Sequence, residues 1–165
     1  MLYLVSGHPR TRSAWLCALL NAHGSRCLHD IETNGYPPDV IAGVCDPGIA
    51  MLRPFDGIKA CRGARVCITR SDWRPAFEKW SGAEFSDLAV QAIEENIAKF
   101  KAHPRTYSID WARLDDSDEV ARVIELCTQR QADHGLIRIF QQLKIEQHIE
   151  KAQFAYSISM WDTAT

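Results

Sequence analysis

The first strand-like segment and the helix-like segment that follows it constrain the fold most. Residues 3–6 are a short apolar run, typical of a buried strand. Residues 7–12 contain glycine and proline and are predicted to form a loop. Residues 13–23 then carry apolar side chains at helical spacing and predict a helix that ends before Gly24. Residues 2–21 therefore predict a strand, a tight loop and a helix whose start can bind an anion.

The rest of the chain alternates predicted strands and helices. This order favours an α/β fold, a three-layer P-loop-type parallel sheet flanked by helices, within one domain of residues 1–165. Asp116 with Glu119 three residues later has the pattern of a helix-capping box. Residues 33–48 hold six glycines and prolines and are predicted to be irregular. The predicted strands are residues 26–29, 65–69, 106–111 and 154–160, and the predicted helices are residues 49–52, 73–80, 84–101 and 136–149.

Charge and cysteine content exclude several classes of protein. The chain has 19 basic and 21 acidic residues, and this balance argues against a nucleic-acid partner. No apolar run is long enough for a membrane span or a signal peptide, so we expect a cytoplasmic protein without a membrane partner. The six cysteines contain no C-x-x-C pair, so we expect core packing rather than disulfides, and no metal site.

The predicted loop is rich in groups that bind phosphate. Free N–H groups and the helix dipole favour an anion at the start of a helix. Arg10 and Arg12 add charge-assisted contacts, and Thr11 and Ser13 add hydroxyl donors. The loop does not fit the Walker A pattern of ATPases and GTPases. Counted from Gly7, the sequence has Arg12, Ser13 and Ala14 where that pattern has glycine, lysine and the hydroxyl residue that holds Mg²⁺.

The same residues resemble the 5′-phosphosulfate loop of sulfotransferases, P-[KR]-[ST]-G-[ST]-[ST]-W-L. Arg12 replaces the glycine of that pattern and Ala14 replaces a hydroxyl residue. The version found here is similar to that of small bacterial and phage sulfotransferase-like proteins. The resemblance implies 3′-phosphoadenosine-5′-phosphosulfate (PAPS) as co-substrate, adenosine 3′,5′-bisphosphate (PAP) as product, and no metal. The matching residues are Pro9, Arg10, Thr11, Ser13, Trp15 and Leu16.

A second part of the resemblance lies after the predicted strand of residues 65–69. Sulfotransferases have a strand that ends in an arginine for the 3′-phosphate of the donor, and Arg70 matches it. The family has a serine eight residues further on, where this chain has Glu78, so Ser71 or Arg74 is a candidate substitute. Alternatively, Arg70 only pairs with Asp72 at the surface.

Sulfuryl transfer also needs a base for the acceptor proton and donors for the departing phosphate oxygen. The resemblance implies a base near a strand end beside the loop, and the candidates are His29 and Asp30. Arg10 is the candidate donor to the departing phosphate oxygen. A histidine has an ordinary pKa of about 6.5, which suits a base at neutral pH. Three further side chains stay open: Glu32 as a base, His8 as a contact of the sulfuryl group, and Asp46 as either a pocket residue or a helix cap.

Three functions remain open from the sequence. The first is a small sulfotransferase that acts on an unknown hydroxyl or amine acceptor. The second is a nucleotide kinase or NTPase-like protein with a degenerate P-loop. The third is a non-catalytic binding or assembly module, which the departures at Arg12 and Glu78 favour. A homodimer is a further possibility for any of the three.

Overall fold

A computed structural model describes residues 1–29 and 42–142. The strands are β1 (Tyr3–Gly7), β2 (Cys27–His29), β3 (Gly43–Cys45), β4 (Ala64–Thr69) and β5 (Thr106–Asp110). The α-helices are α1 (Ser13–Ala22), α2 (Pro47–Leu52), α3 (Pro54–Ala60), α4 (Trp73–Ser81), α5 (Asp87–Ala102), α6 (Ser117–Thr128) and α7 (His134–Gln142). A 3₁₀ helix (Trp111–Asp115) joins β5 to α6.

β1 lies at the centre of a five-stranded parallel sheet with the order β2-β3-β1-β4-β5. On one side Val5 pairs with Cys45 of β3, and on the other side Gly7 pairs with Ile68 of β4. Parallel strands require long crossover connections, which the helices supply here. Because all strands run in the same direction, the carboxyl ends of β1, β3 and β4 meet at one edge of the sheet.

Helices cover both faces of the sheet and complete three layers. Tyr3 and Val5 of β1 face the layer of α1, α6 and α7, whereas Leu4 faces the layer of α2 and α5. This alternation follows from the two-residue repeat of a strand, and it gives the sheet an apolar core on each face. The predicted class, an α/β fold with a parallel sheet between helices, is confirmed.

The prediction for residues 33–48 was wrong in the part that the structure describes. Gly43–Cys45 is a buried strand that pairs on both sides. Gly43 packs against the Tyr3 ring, where an added Cβ would lie 2.0 Å from a ring carbon. A glycine is therefore required at position 43 by close packing and not by a turn. Pro47 is the first residue of α2, a position where a missing N–H is tolerated.

Two element boundaries also need correction. The helix predicted from residue 84 begins at Asp87, after the cap residue Ser86. Leu88, predicted on its buried face, is 79% exposed because the first turn lies before the part of α5 that packs on the sheet. The strand predicted for residues 106–111 ends at Asp110, since Trp111 begins the 3₁₀ helix.

The predicted strand of residues 154–160 and the end of the helix predicted for residues 136–149 lie outside the described residues. Within residues 1–29 and 42–142, no helix combines the length and the apolar composition that a membrane crossing requires.

Candidate functional site

The β1–α1 loop (residues 8–12) starts from a position that only glycine can occupy. Gly7 has a φ of 147°, and a Cβ there would lie 2.0 Å from the carbonyl oxygen of Ile68. The next residue, His8, donates its backbone N–H to the same carbonyl at 3.0 Å. The end of β1 is therefore held directly against β4, which fixes where the loop begins.

Arg10 and Arg12 both hold the left-handed backbone conformation, with φ values of 59° and 60°. Residues other than glycine rarely adopt it, and each such position costs on the order of 1–3 kcal/mol. Thr11, buried between them, donates from Oγ1 to the His8 carbonyl at 2.8 Å and tightens the loop. Pro9 is buried, and its ring fixes the φ angle at this point of the loop. Backbone strain of this kind is concentrated at functional sites.

α1 begins without a side-chain cap. Its N-cap residue, Arg12, makes no capping hydrogen bond, and its first turn contains no acidic residue. The side chain of Arg12 instead pairs with Asp115, with Nη1 2.5 Å from Oδ1. The first helical hydrogen bond runs from the N–H of Leu16 to the Arg12 carbonyl. The three residues before Leu16, which include Ala14, therefore present N–H groups without helical acceptors, as an anion site requires.

Arg70 follows β4 and lies against the β1–α1 loop. Its Nη1 donates to the Arg10 carbonyl at 2.7 Å. Its Nε and Nη2 pair with the two carboxylate oxygens of Asp72 at 2.7 and 3.0 Å, so the surface pairing left open by the sequence is present. The two parts of the predicted site thus meet in space, and a role of Arg70 in binding stays a prediction.

Two tryptophans hold the guanidinium groups around the loop. The Arg70 guanidinium lies 4.2 Å from the ring centroid of Trp111, and that of Arg12 lies 5.4 Å from the same centroid. Arg10 lies over Trp80 at 5.2 Å. Such contacts orient a guanidinium group without neutralising it. The three guanidinium groups around the loop are therefore held in place, and two of them also pair with a carboxylate, Arg12 with Asp115 and Arg70 with Asp72.

Ser71 and Arg74, the candidate substitutes for the missing serine, differ in their surroundings. Ser71 is exposed. Arg74 is engaged by Glu78 at 3.0 Å, Asp87 at 3.0 Å and the Phe85 carbonyl at 2.8 Å. The backbone N–H of Phe85, and then Arg74, lower the pKa of Glu78. Arg74 and Glu78 therefore neutralise each other between α4 and α5, which argues against Arg74 as a phosphate ligand.

The predicted base His29 lies beside the loop. Its Nε2 is 2.9 Å from Oγ of Ser13, the first residue of α1. If Nε2 is unprotonated, it accepts a hydrogen bond from the Ser13 hydroxyl. If Nε2 carries the proton, it donates to Ser13 Oγ, and the Ser13 hydroxyl can then donate to an anion. The alternative bases Asp30 and Glu32 lie outside the described residues.

His8 is buried and contacts a half-exposed partner that the sequence did not reveal. Its Nδ1 accepts the Arg70 backbone N–H at 2.9 Å, so Nε2 carries the proton and donates to Glu94 Oε2 at 3.3 Å. Its ring stacks on Trp73, whose Nε1 donates to Glu94 at 2.6 Å. Burial lowers the pKa of His8, and Glu94 opposes this in part. A ring with both nitrogens engaged holds the loop to β4, and a contact of His8 with a sulfuryl group stays a prediction.

Asp46 follows β3 and is fully buried at the carboxyl edge of the sheet, next to β1. Its Oδ1 accepts the Gly48 N–H at 2.8 Å and caps α2, as one reading of the sequence predicted. Its carbonyl accepts from Ser6 Oγ at 2.5 Å. In nucleotide-binding P-loop proteins, an aspartate beside the phosphate loop helps to hold Mg²⁺.

The cysteines are free and buried, as predicted. Three of them lie close together in space, because the sulfur atoms of Cys17, Cys27 and Cys45 are all within 4.8 Å of one another, and the absence of a metal site stays a prediction. Their separations along the chain, 10 and 18 residues, resemble no common metal motif. The adjacency of β2 and β3 beneath α1 brings them together.

Comparison with known proteins identifies no family. No protein-family model matches the sequence, and no curated protein matches it. The structure aligns with the crystal structure of a gluconokinase from Sinorhizobium meliloti 1021 at 15% sequence identity and a TM-score of 0.43, over 88% of this chain and 96% of that chain. A likeness this distant establishes neither a ligand nor a reaction.

Proposed function

We propose that the β1–α1 loop binds the phosphate groups of a nucleotide, and that the nucleotide is PAPS, the donor of a sulfuryl group. The observation that carries the proposal is the strained pair Arg10 and Arg12 at the uncapped start of α1. Arg70 adds a third guanidinium group beside it. Several guanidinium groups around N–H groups that have no helical acceptor suit a ligand with more than one anionic group.

In the proposed reaction, the acceptor oxygen or nitrogen forms a bond to sulfur while the bond from sulfur to the 5′-phosphate oxygen breaks. His29, or Asp30 in its place, takes the acceptor proton. Arg10 and the N–H groups at the start of α1 stabilise the charge on the departing phosphate oxygen. These steps use side chains and backbone alone, which agrees with Ala14 at the position where an NTPase loop presents a hydroxyl to Mg²⁺.

Calorimetry with PAP tests the binding step. We expect the bisphosphate to bind, and the double variant Arg10→Ala/Arg12→Ala to bind it more than about tenfold more weakly, because charge-assisted hydrogen bonds contribute about 1.5–3 kcal/mol each. Arg62→Ala is a matched control, since this exposed arginine lies just before β4, at the opposite edge of the sheet. Absence of binding at millimolar PAP would refute the proposal.

A transfer assay with labelled PAPS tests the chemistry separately. If His29 is the base, His29→Asn lowers the transfer rate by about 10²–10⁴-fold while PAP binding changes little. Binding of PAP without transfer to any hydroxyl or amine acceptor would support a non-catalytic module instead.

A second candidate is a magnesium-dependent nucleotide-binding protein, and the buried Asp46 beside β1 is the observation that favours it. Ser13 at the lysine position and Ala14 at the hydroxyl position weigh against it. Thermal shifts with ATP, GTP and PAP, each with and without Mg²⁺, separate the candidates. A shift by ATP or GTP that requires Mg²⁺ and is lost in Asp46→Asn would favour the second.

A further inference from the structure

Three buried cysteines form a sulfur triangle, defined as the Sγ atoms of Cys17 (α1), Cys27 (β2) and Cys45 (β3). The atoms lie within 4.8 Å of one another, and those of Cys27 and Cys45 are 3.5 Å apart. The residues are at most 4% exposed. Among residues 1–29 and 42–142, no histidine, aspartate, glutamate or further cysteine joins this group.

Asn21 holds two corners of the sulfur triangle in register. Its Oδ1 accepts the Cys27 N–H at 2.8 Å, and its Nδ2 donates to the Cys27 carbonyl at 2.9 Å and to Cys17 Sγ at 3.7 Å. An N–H donor to sulfur stabilises a thiolate. The triangle is thus positioned by hydrogen bonds as well as by packing.

The dimensions suit one metal ion at the centre. With a metal–sulfur distance of about 2.3 Å, a planar three-sulfur site has sulfur–sulfur distances of about 4.0 Å. The observed limit of 4.8 Å and the 3.5 Å edge lie on either side of that value. Binding would therefore change a sulfur–sulfur distance by no more than about 0.8 Å, the difference between 4.8 and 4.0 Å.

We propose that the sulfur triangle binds a single soft monovalent cation, Cu(I), with three sulfur ligands. Thiolates select Cu(I), Zn²⁺ or iron–sulfur clusters. Structural Zn²⁺ sites are almost always four-coordinate, and iron–sulfur clusters commonly use four cysteines. Three sulfurs in a dry site fit Cu(I) better than either. Because β2 is a three-residue edge strand, local opening there gives the ion a way in.

Anaerobic titration of the full chain with Cu(I), in competition with a chromogenic Cu(I) chelator, tests the proposal. We expect one ion per chain and an ultraviolet thiolate-to-copper charge-transfer band. Cys17→Ala should weaken binding by more than about 100-fold, since changes outside the ligand shell already cost about 10–100-fold. Cys67→Ala is the matched control, because Cys67 is equally buried on the other face of the sheet. It should bind Cu(I) like the unmodified chain.

X-ray absorption at the copper edge, measured on the unmodified chain, counts the ligands without relying on a variant that folds poorly. Three sulfurs at about 2.3 Å are expected. Absence of stoichiometric binding, equal binding by Cys17→Ala, or a two-sulfur site would each overturn the proposal. Stoichiometric Zn²⁺ binding that Cu(I) does not displace would overturn the choice of ion.

Discussion

The starts of α1 and α6 pack on the same face of the sheet but satisfy their N–H groups in opposite ways. α6 begins at a charged cap: Asp116 Oδ1 accepts the N–H groups of Asp118 at 3.0 Å and Glu119 at 3.4 Å, and both of these residues are acidic. α1 begins at an arginine that caps nothing, with no acid in its first turn. α6 therefore carries its own anion, whereas in the part of the chain that the structure describes no side chain caps the start of α1.

The two helix starts are also connected. Arg12, at the start of α1, pairs with Asp115, the residue before the α6 cap. The negative charge near α6 thus helps to hold the positive charge near α1, while within residues 1–29 and 42–142 no side chain caps the N–H groups of α1. Under the proposed function, ligand binding depends on the start of α1 and stability depends on the start of α6. The following changes test that division.

The largest effect is expected at Gly7. Gly7→Ala places a methyl group 2.0 Å from the Ile68 carbonyl oxygen, so β1 and β4 must separate, and we expect a loss of more than about 3 kcal/mol in the free energy of unfolding. Gly82→Ala is the control, because it has a positive φ of 71° but nothing within 4 Å, and should cost only about 1 kcal/mol. Urea denaturation measures both, and equal losses would contradict the close-approach argument.

Arg12→Asn makes the start of α1 resemble an ordinary cap. Asparagine tolerates the left-handed conformation better than arginine, while the pair with Asp115 is lost. We expect the relief of backbone strain to offset the loss of the ion pair, so that the free energy of unfolding stays within about 1 kcal/mol of the unmodified value. PAP binding, measured by calorimetry, should weaken by more than about tenfold. Equal losses of stability and binding would mean that Arg12 is structural.

Asp116→Ala removes the cap of α6 and should lower the melting temperature without affecting PAP binding. The bond from Arg113, followed by that from the Asp118 N–H, lowers the pKa of Asp116. The stabilisation is therefore fully present above the ordinary carboxyl pKa of about 3.9 and is lost as the pH falls through the lower folded value. The difference in melting temperature should shrink in that range. Asp116→Asn, which keeps an acceptor oxygen, should lower the melting temperature less than Asp116→Ala at neutral pH.

Asp115→Asn should give the smallest effect, and it should strengthen PAP binding where Arg12→Asn weakens it. It releases Arg12 from a partner that is 71% exposed, so the arginine turns more readily to an anion. Since exposed pairs contribute about 0.2–1 kcal/mol, PAP should bind between about 1.4- and 5-fold more tightly. Weaker binding would show that Asp115 positions Arg12 rather than competing for it.

Local sequence signals were sufficient for the elements of this comparison. The apolar run and the glycine–proline loop at the start of the chain predicted β1 and α1, and the pattern at Asp116 predicted the cap of α6. This capping box is only half formed, because the Glu119 carboxylate accepts a hydrogen bond from the Tyr107 hydroxyl at 2.5 Å and not from the backbone N–H of Asp116. A tertiary partner replaced a local one.

Contacts that depend on strand order were not predictable from the sequence. Glycine and proline near Val44 suggested a loop, but burial between two strands outweighs their local preference. The His8–Glu94 contact joins residues 86 apart. The sulfur triangle likewise exists only because β3 inserts between β1 and β2. Periodicity within one segment contains no information about such neighbours.

The central position of β1 has a consequence for how the chain acquires its structure. Tyr3 pairs with Ala64, so the loop geometry cannot form until β4 has been synthesised. At about 5–20 residues per second, roughly sixty residues take about 3–12 s on the ribosome. Throughout that time the apolar strand β1 lacks its partner on that side. Since non-local parallel pairing is also slow, chaperone demand during synthesis should concentrate on this first strand.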